Sequence, residues 1–151
     1  MNFFIRIITT LNTGDNVTRI PDHAFSGCGG LTTDVTIGQG IEYVGAGAFE
    51  NCIGLTTMNF NATNCTYMYN CFSGCANIAT LNIGNNVTRI PEYAFSDCTG
   101  LTTVTIGPDV TNIGRNAFSG CTGLTTVNFN AIHCNIMSYV FDGCTNFVTL
   151  N

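Results

Sequence analysis

The chain has 151 residues and a formal net charge of −5, and only 9% of its residues are charged, against roughly 25% in a typical soluble domain. Four basic residues do not supply the basic surface that nucleic-acid binding requires, and no apolar run approaches the roughly 20 residues of a membrane span. We therefore predict neither a nucleic-acid partner nor a membrane span, and expect the 19 Asn and 23 Thr to form the polar surface.

The first ten residues precede any regular pattern. They begin with the apolar run MNFFIRII, which lacks the long hydrophobic core and the A-x-A-like cleavage site of a signal peptide. We predict that residues 1–10 form an irregular N-terminal rung; alternatively, they are a trimmed or degenerate export signal. Residues 11–151 are predicted to form one repeating domain.

A phenylalanine recurs every 23 residues along that domain, with a single spacing of 24, and a cysteine follows each of them by three positions. A fixed period in the twenties is typical of a leucine-rich solenoid, in which each repeat forms one coil. One added residue, Asp34, explains the longer spacing. The repeated residues are Phe25, Phe49, Phe72, Phe95, Phe118 and Phe141, with Cys28, Cys52, Cys75, Cys98, Cys121 and Cys144.

A larger unit is superimposed on this period. The segment 11–28 is nearly repeated by 81–98, at an offset of 70, and 55–65 is echoed by 124–134, at an offset of 69. These offsets equal three coils, so the array resembles a three-coil cassette that has been duplicated. We predict about six coils in all.

Each coil carries a V-x-I segment such as Val104 and Ile106, whose alternation indicates a short strand. Because the same strand recurs in every coil, we predict a parallel sheet. The residue that follows each strand is predicted to turn the chain in a left-handed conformation, which glycine and asparagine tolerate. These residues are Gly38, Asn61, Gly84, Gly107 and Asn130.

The nine cysteines indicate a reduced thiol ladder more than a disulfide framework, since six share one column and a buried free thiol is a small apolar filler. The spacing of stacked strands still permits disulfides between coils. Cys65 and Cys134 lie outside the ladder and are predicted to be the accessible thiols. No C-x-x-C pair is present, and neither His23 nor His133 belongs to a catalytic pattern. We therefore predict no metal site, cofactor, catalytic residue or enzymatic activity.

The pattern AFxxCxxLTTVxIGxxVTxIGxxAF, which covers residues 11–151, resembles the BspA-like leucine-rich repeats. The resemblance implies a curved solenoid with a concave parallel β-sheet and little helix. It also implies a protein that is exposed on the cell surface or secreted, and that binds host matrix proteins or other cells.

The outward side of the sheet is the candidate contact surface. If Val104 and Ile106 point inward, strand alternation turns Thr103 and Thr105 outward. The outward residues are neutral hydroxyls and amides, and we predict that they bind a protein or glycan ligand; alternatively, they only stabilise the sheet by cross-strand contacts. They are Thr36, Thr57, Asn59, Thr80, Asn82, Thr103, Thr105, Thr126 and Asn128.

Two other functions remain open. The chain stops inside a strand pattern at Asn151 without a polar capping repeat, so we predict a segment of a longer array. Uncapped coils expose apolar edges, and the chain is alternatively a structural or intracellular scaffold that self-associates end to end. A third hypothesis is ice binding by the ordered hydroxyls of a T-x-T ladder.

Several charged and aromatic residues outside the core columns are predicted to lie on the surface. Arg19 with Asp22, and Arg89 with Glu92, are predicted to form weak exposed ion pairs. The tyrosines outside the core columns are predicted to cover the convex side; they are Tyr43, Tyr69, Tyr93 and Tyr139.

Overall fold

The computed structural model describes residues 8–136 and 138–151, and this part of the chain contains thirteen short strands and no helix. The irregular rung predicted for residues 1–10 lies mostly outside the described residues. The strands are β1 (Leu11–Asn12), β2 (Arg19–Ile20), β3 (Asp34–Ile37), β4 (Tyr43–Val44), β5 (Thr57–Phe60), β6 (Tyr67–Met68), β7 (Thr80–Ile83), β8 (Arg89–Ile90), β9 (Thr103–Ile106), β10 (Asn112–Ile113), β11 (Thr126–Phe129), β12 (Asn135–Ile136) and β13 (Thr149–Leu150).

The first strand of each coil joins one seven-stranded sheet in the order β1-β3-β5-β7-β9-β11-β13. Every neighbouring pair is parallel, and equivalent residues of successive coils face each other. The predicted solenoid with its parallel sheet is confirmed. Burial alternates along β9, where Val104 and Ile106 are buried while Thr103 and Thr105 are exposed, as the V-x-I pattern predicted.

The second strand of each coil forms a narrower ladder. This ladder is divided into two three-stranded parallel sheets, β2-β4-β6 and β8-β10-β12. The main sheet is continuous across the same coils, since β5 and β7 pair over four residues. The division therefore affects only one side of the solenoid.

The phenylalanine and cysteine columns form the centre of each coil. Successive phenylalanine rings stack, with centroids 5.1 Å apart for Phe49 and Phe72 and 5.5 Å apart for Phe95 and Phe118. The cysteine of one coil donates its thiol proton to the carbonyl of the phenylalanine one coil earlier, as from Cys121 to Phe95 at 3.2 Å. The same bond recurs at Cys52, Cys75 and Cys144. A thiol therefore makes a hydrogen bond that a plain apolar group could not make, although the carbonyls of Phe25, Phe49 and Phe118 also accept the amide of the cysteine three residues later.

The prediction of left-handed turns directly after the strands is wrong. None of the residues proposed for that role has a positive φ; the left-handed residues instead lie two positions before and two positions after the phenylalanines. Gly38 is needed for another reason, because an added Cβ would lie 2.8 Å from the carbonyl carbon of Gly14. Close approach of neighbouring coils, and not backbone handedness, explains glycine at that position. The left-handed residues are His23, Gly27, Gly47, Asn51, Asn70, Gly74, Tyr93, Asp97, Asn116, Gly120, Tyr139 and Gly143, together with Gly14.

Two glycines of one coil should respond oppositely to substitution. In Gly114→Ala the new Cβ would lie 2.7 Å from the carbonyl carbon of Pro91 and 2.8 Å from the Cα of Glu92, both backbone atoms. Around Gly107 no atom lies within 4 Å of the added Cβ. We expect Gly114→Ala to lower the free energy of unfolding by about 1–3 kcal/mol through overpacking. Gly107→Ala should leave it unchanged or raise it by up to about 1 kcal/mol. Urea unfolding of both variants measures this, and equal losses would contradict the packing described.

Candidate functional site

The nine outward residues predicted to bind a ligand lie together on strands β3, β5, β7, β9 and β11 of the main sheet. We call this surface the Thr/Asn face. Its residues form two columns in register, one that runs Thr57, Thr80, Thr103 and Thr126, and one that runs Thr36, Asn59 and Asn82 and continues at Thr105 and Asn128.

The second column is held by hydrogen bonds between side chains. The Asn59 amide donates to the Thr36 hydroxyl at 3.2 Å, and the Asn82 amide donates to the Asn59 carbonyl oxygen at 2.8 Å. The same arrangement recurs three coils later, where Asn128 donates to Thr105 at 3.3 Å and Asn151 donates to Asn128 at 3.0 Å. In every bond the amide donates toward the preceding coil. These residues stabilise the sheet, as the alternative interpretation proposed for them.

The threonine column is different, because its hydroxyls remain open. For the described residues, the one side-chain hydrogen bond of this column joins the hydroxyls of Thr125 and Thr126 at 3.5 Å. Thr80 and Thr103 are exposed on neighbouring strands. Since strands are about 4.8 Å apart, the column presents donor-and-acceptor groups at that spacing beside the fixed amides.

The face is almost uncharged. Asp34 stands opposite Thr57 at the start of the threonine column, and it is the one charged residue in the two columns of the described strands. Such a surface suits hydrogen bonding to neutral polar groups, and it has no cluster of acids, bases or nucleophiles for covalent chemistry.

A family model for the BspA type leucine rich repeat region matches residues 3–68 and 18–148, with six copies of the repeat. These matches cover nearly the whole chain. The chain belongs to the BspA-type leucine-rich repeat family.

Two solved structures resemble this BspA-type chain. A leucine-rich repeat protein from Bacteroides ovatus is 26% identical, with a TM-score of 0.76 over 92% of this chain and 36% of its own length. The T. pallidum leucine-rich repeat protein is 23% identical, with a TM-score of 0.72 over 97% of this chain and 69% of its own, and shows the fold alone. This chain thus spans about a third of the Bacteroides protein. No curated protein matches the sequence significantly.

The two histidines of the BspA-type coils lie outside the strands that form the Thr/Asn face. The Nδ1 atom of His23 lies 3.5 Å from a carboxylate oxygen of the partly exposed Glu50, and His133 is exposed. Within residues 8–136 and 138–151, no three His, Cys, Asp or Glu side chains converge in a way that could hold a metal ion. The same residues include no helix that is long and apolar enough to cross a membrane.

The prediction of an Arg19–Asp22 ion pair is wrong, because an aromatic ring competes for the arginine. The Arg19 guanidinium lies 3.9 Å from the centroid of the Tyr43 ring. Asp22 instead accepts hydrogen bonds from the Tyr43 hydroxyl and the Ala46 amide, both at 3.1 Å. Partial burial, and after it the bond to Asp22, raise the pKa of Tyr43 above its ordinary value. Arg89 and Glu92 likewise form no ion pair, although both line one cleft.

The prediction that Cys65 is an accessible thiol is also wrong. Its exposed fraction is 0%, and burial raises its pKa to about 11. Cys134 is partly exposed, as predicted, and Cys144 is exposed to a similar degree. All nine cysteines are free in this structure, and the reduced state of the ladder stays a prediction.

Proposed function

We propose that this chain is a protein-binding module that acts in adhesion, at the cell surface or in secreted form, and that the Thr/Asn face contacts the partner. Membership of the BspA-type leucine-rich repeat family supports a protein-binding module in general. The adhesive role and the location follow from the family resemblance and are part of the proposal.

The observation that carries the choice of face is the contrast between its two columns. Hydrogen bonds already order the amides of Asn59, Asn82 and Asn128, so a partner that binds there immobilises few additional rotamers. The neighbouring hydroxyls of Thr80 and Thr103 are exposed and open. The face therefore combines a rigid frame with unused hydrogen-bonding groups, and it suits the polar backbone and side chains of a protein surface.

The experiment places two lysines on the face. Thr80→Lys with Thr103→Lys should weaken binding to a purified extracellular-matrix protein at least tenfold, since bulky charged groups would replace two neighbouring hydroxyls. A panel of such proteins is immobilised and binding is measured by surface plasmon resonance. The matched control is Thr99→Lys with Thr122→Lys, which adds the same charge to exposed residues outside the strands.

The control pair should retain wild-type affinity, and thermal unfolding should show that both pairs remain folded. Equal weakening by the two pairs would show that charge, and not the Thr/Asn face, determines binding. If no matrix protein binds, the adhesive role is wrong.

The end-to-end scaffold is the second candidate function, and it would use the apolar edge of the last coil. Val148 and Leu150 are 80% and 65% exposed, and β13 is an edge strand of the main sheet. A second copy could cover this apolar edge, as could a further coil if the chain is a segment of a longer array. Sedimentation over a range of concentrations separates the candidates, because a strict monomer with a tight foreign ligand excludes the scaffold.

Ice binding has the weakest support. A T-x-T array needs two outward threonines on each strand, and of the described strands only β9 carries them, as Thr103 and Thr105. In β5, β7 and β11 an asparagine replaces the second threonine.

A further inference from the structure

The third coil differs from its neighbours in the position of its second strand, although its phenylalanine keeps the usual spacing of 23 residues. Seven positions separate Phe60 from Tyr67, whereas six separate Ile83 from Arg89. Five positions then separate Tyr67 from Phe72, whereas the equivalent distance in the next coil is six. One residue is therefore gained before the second strand and one is lost after it, so the 23-residue spacing of the phenylalanines is preserved.

This shift coincides with the division of the second ladder. β6 pairs with β4, and β8 pairs with β10, but β6 and β8 do not pair. The Thr88 amide donates to the Thr63 carbonyl at 3.4 Å. In a regular ladder its acceptor would be the carbonyl of Thr66, three residues later. The Phe72 and Phe95 rings are also 6.1 Å apart, against 5.1 Å for Phe49 and Phe72. The backbone pairing of the second strands is therefore interrupted between β6 and β8, while the Tyr69 and Tyr93 rings still meet across the two coils at 5.0 Å.

A cleft of about 160 Å³ occupies the division. We call it the inter-sheet cleft; it is lined by Thr66, Tyr67, Met68, Tyr69, Arg89 and Glu92.

An aromatic stack ends at this cleft. Arg19 covers one face of Tyr43 at 3.9 Å, and Tyr43 stacks on Tyr67 with centroids 4.7 Å apart and ring planes at 5°. Arg19, Tyr43 and Tyr67 occupy equivalent positions in successive coils. Arg89 is the equivalent residue of the next coil, and in a regular ladder it would continue the stack. Tyr67 lines the cleft and is 39% exposed, so the ring face that does not stack on Tyr43 is the one available to a ligand. A flat ligand that enters there would extend an existing stack.

The charged side chains that line the cleft beside Tyr67 indicate which class of ligand fits it. Arg89 supplies only donors, Glu92 supplies only acceptors, and the Thr66 hydroxyl does both. One positive and one negative group disfavour an ion of either sign. A neutral ring with several hydroxyls can accept from the arginine and donate to the carboxylate, while its C–H face packs on Tyr67. An aromatic side chain would use the stack but leave both charged groups unpaired.

We propose that the inter-sheet cleft binds a single neutral hexopyranose, as a free sugar or at the end of a glycan. This site is separate from the Thr/Asn face and does not depend on the function proposed for that face. We expect a dissociation constant on the order of 1 mM, because a ligand of one ring has few atoms with which to bind.

The test is an NMR titration of the full chain with glucose, galactose, mannose and N-acetylglucosamine. At least one sugar should shift the backbone amide signals of Tyr67, Tyr69 and Arg89 in a saturable manner. Tyr67→Ala should weaken binding at least tenfold, Tyr67→Phe should retain it, and Arg89→Ala should weaken it several-fold. The matched control is Tyr139→Ala, which removes a tyrosine that is 60% exposed and lies outside the cleft.

Three outcomes would overturn the proposal. One is the absence of saturable shifts with every sugar, and another is equal affinity of the wild type and Tyr67→Ala, with unfolding midpoints that show both to be folded. The third is binding of tyrosine amide, used as an aromatic probe, at the same signals and more tightly than any sugar. That result would identify the cleft as a site for an aromatic side chain.

Discussion

Replacement of Phe95 by alanine should lower the free energy of unfolding by about 3–5 kcal/mol. Phe95 is 2% exposed, and its ring stacks on Phe118 and Phe72 and meets the edge of Phe60 at 5.6 Å. Because every coil is stabilised by its neighbours, a cavity in this inner coil weakens two interfaces at once. Urea unfolding monitored by circular dichroism measures the loss.

Phe147→Ala is the matched control for this prediction. It makes the same chemical change at a residue that is 39% exposed and stacks on one ring, Phe141. Its cost should be less than half that of Phe95→Ala. If the two variants lost equal stability, the phenylalanine column would not be the structural centre of the coils.

Stability should also fall steeply in alkaline solution. Burial raises the pKa of Cys65 to about 11 and that of Cys121 to about 12, and it raises the pKa values of Cys71 and Cys98 as well. In the unfolded chain these thiols ionise near pH 8.5. Above that pH the native state binds more protons than the unfolded state, so the free energy of unfolding decreases as pH rises. Each such thiol contributes about 1.4 kcal/mol per pH unit.

The four thiols together should therefore remove several kcal/mol of stability between about pH 8.5 and pH 10, below the range in which most tyrosines ionise. Unfolding in urea with a reductant, repeated at several pH values, gives the slope. Cys65→Ala should reduce the slope of the unfolding free energy against pH by the contribution of one thiol, about 1.4 kcal/mol per pH unit. A flat stability profile over this range, or an unchanged slope in the variant, would contradict a ladder of buried neutral thiols.

The periodic part of the structure could be predicted from the sequence because stacking repeats the same environment in every coil. Val104, Ile106, Phe118 and Cys121 recur at one period, so a single assignment of inward and outward residues holds for the whole array. The same regularity places Thr103 and Thr105 outward, as the structure confirms.

The local departures could not be predicted from the period. The gain and loss of one residue around Tyr67 cancel within one coil, so the spacing of the phenylalanines gives no sign of the division between β6 and β8. Tyr67 is not among the surface tyrosines predicted from the sequence. The signal lies in the spacing inside each coil, which is seven positions from Phe60 to Tyr67 and six from Ile83 to Arg89.

Backbone handedness and side-chain hydrogen bonds also depend on three-dimensional contacts. Tyr93 and Tyr139 adopt left-handed conformations, with φ of 54° and 62°, which bulky residues rarely adopt and composition would not suggest. The direction of the Asn59 and Asn82 amides is set by the residue one coil earlier, at a separation of 23 positions. Such contacts become visible only when the coils are stacked.

The central claim, that the Thr/Asn face contacts a protein partner, is tested most directly by NMR cross-saturation. The chain is labelled at its threonine methyl groups and bound to the matrix protein that it binds most tightly. Saturation of the partner should attenuate the signals of Thr80, Thr103 and Thr126, and leave those of Thr99 and Thr122 unchanged. Attenuation at Thr99 and Thr122 with none on the sheet would contradict the assignment and move the contact surface to another side of the solenoid.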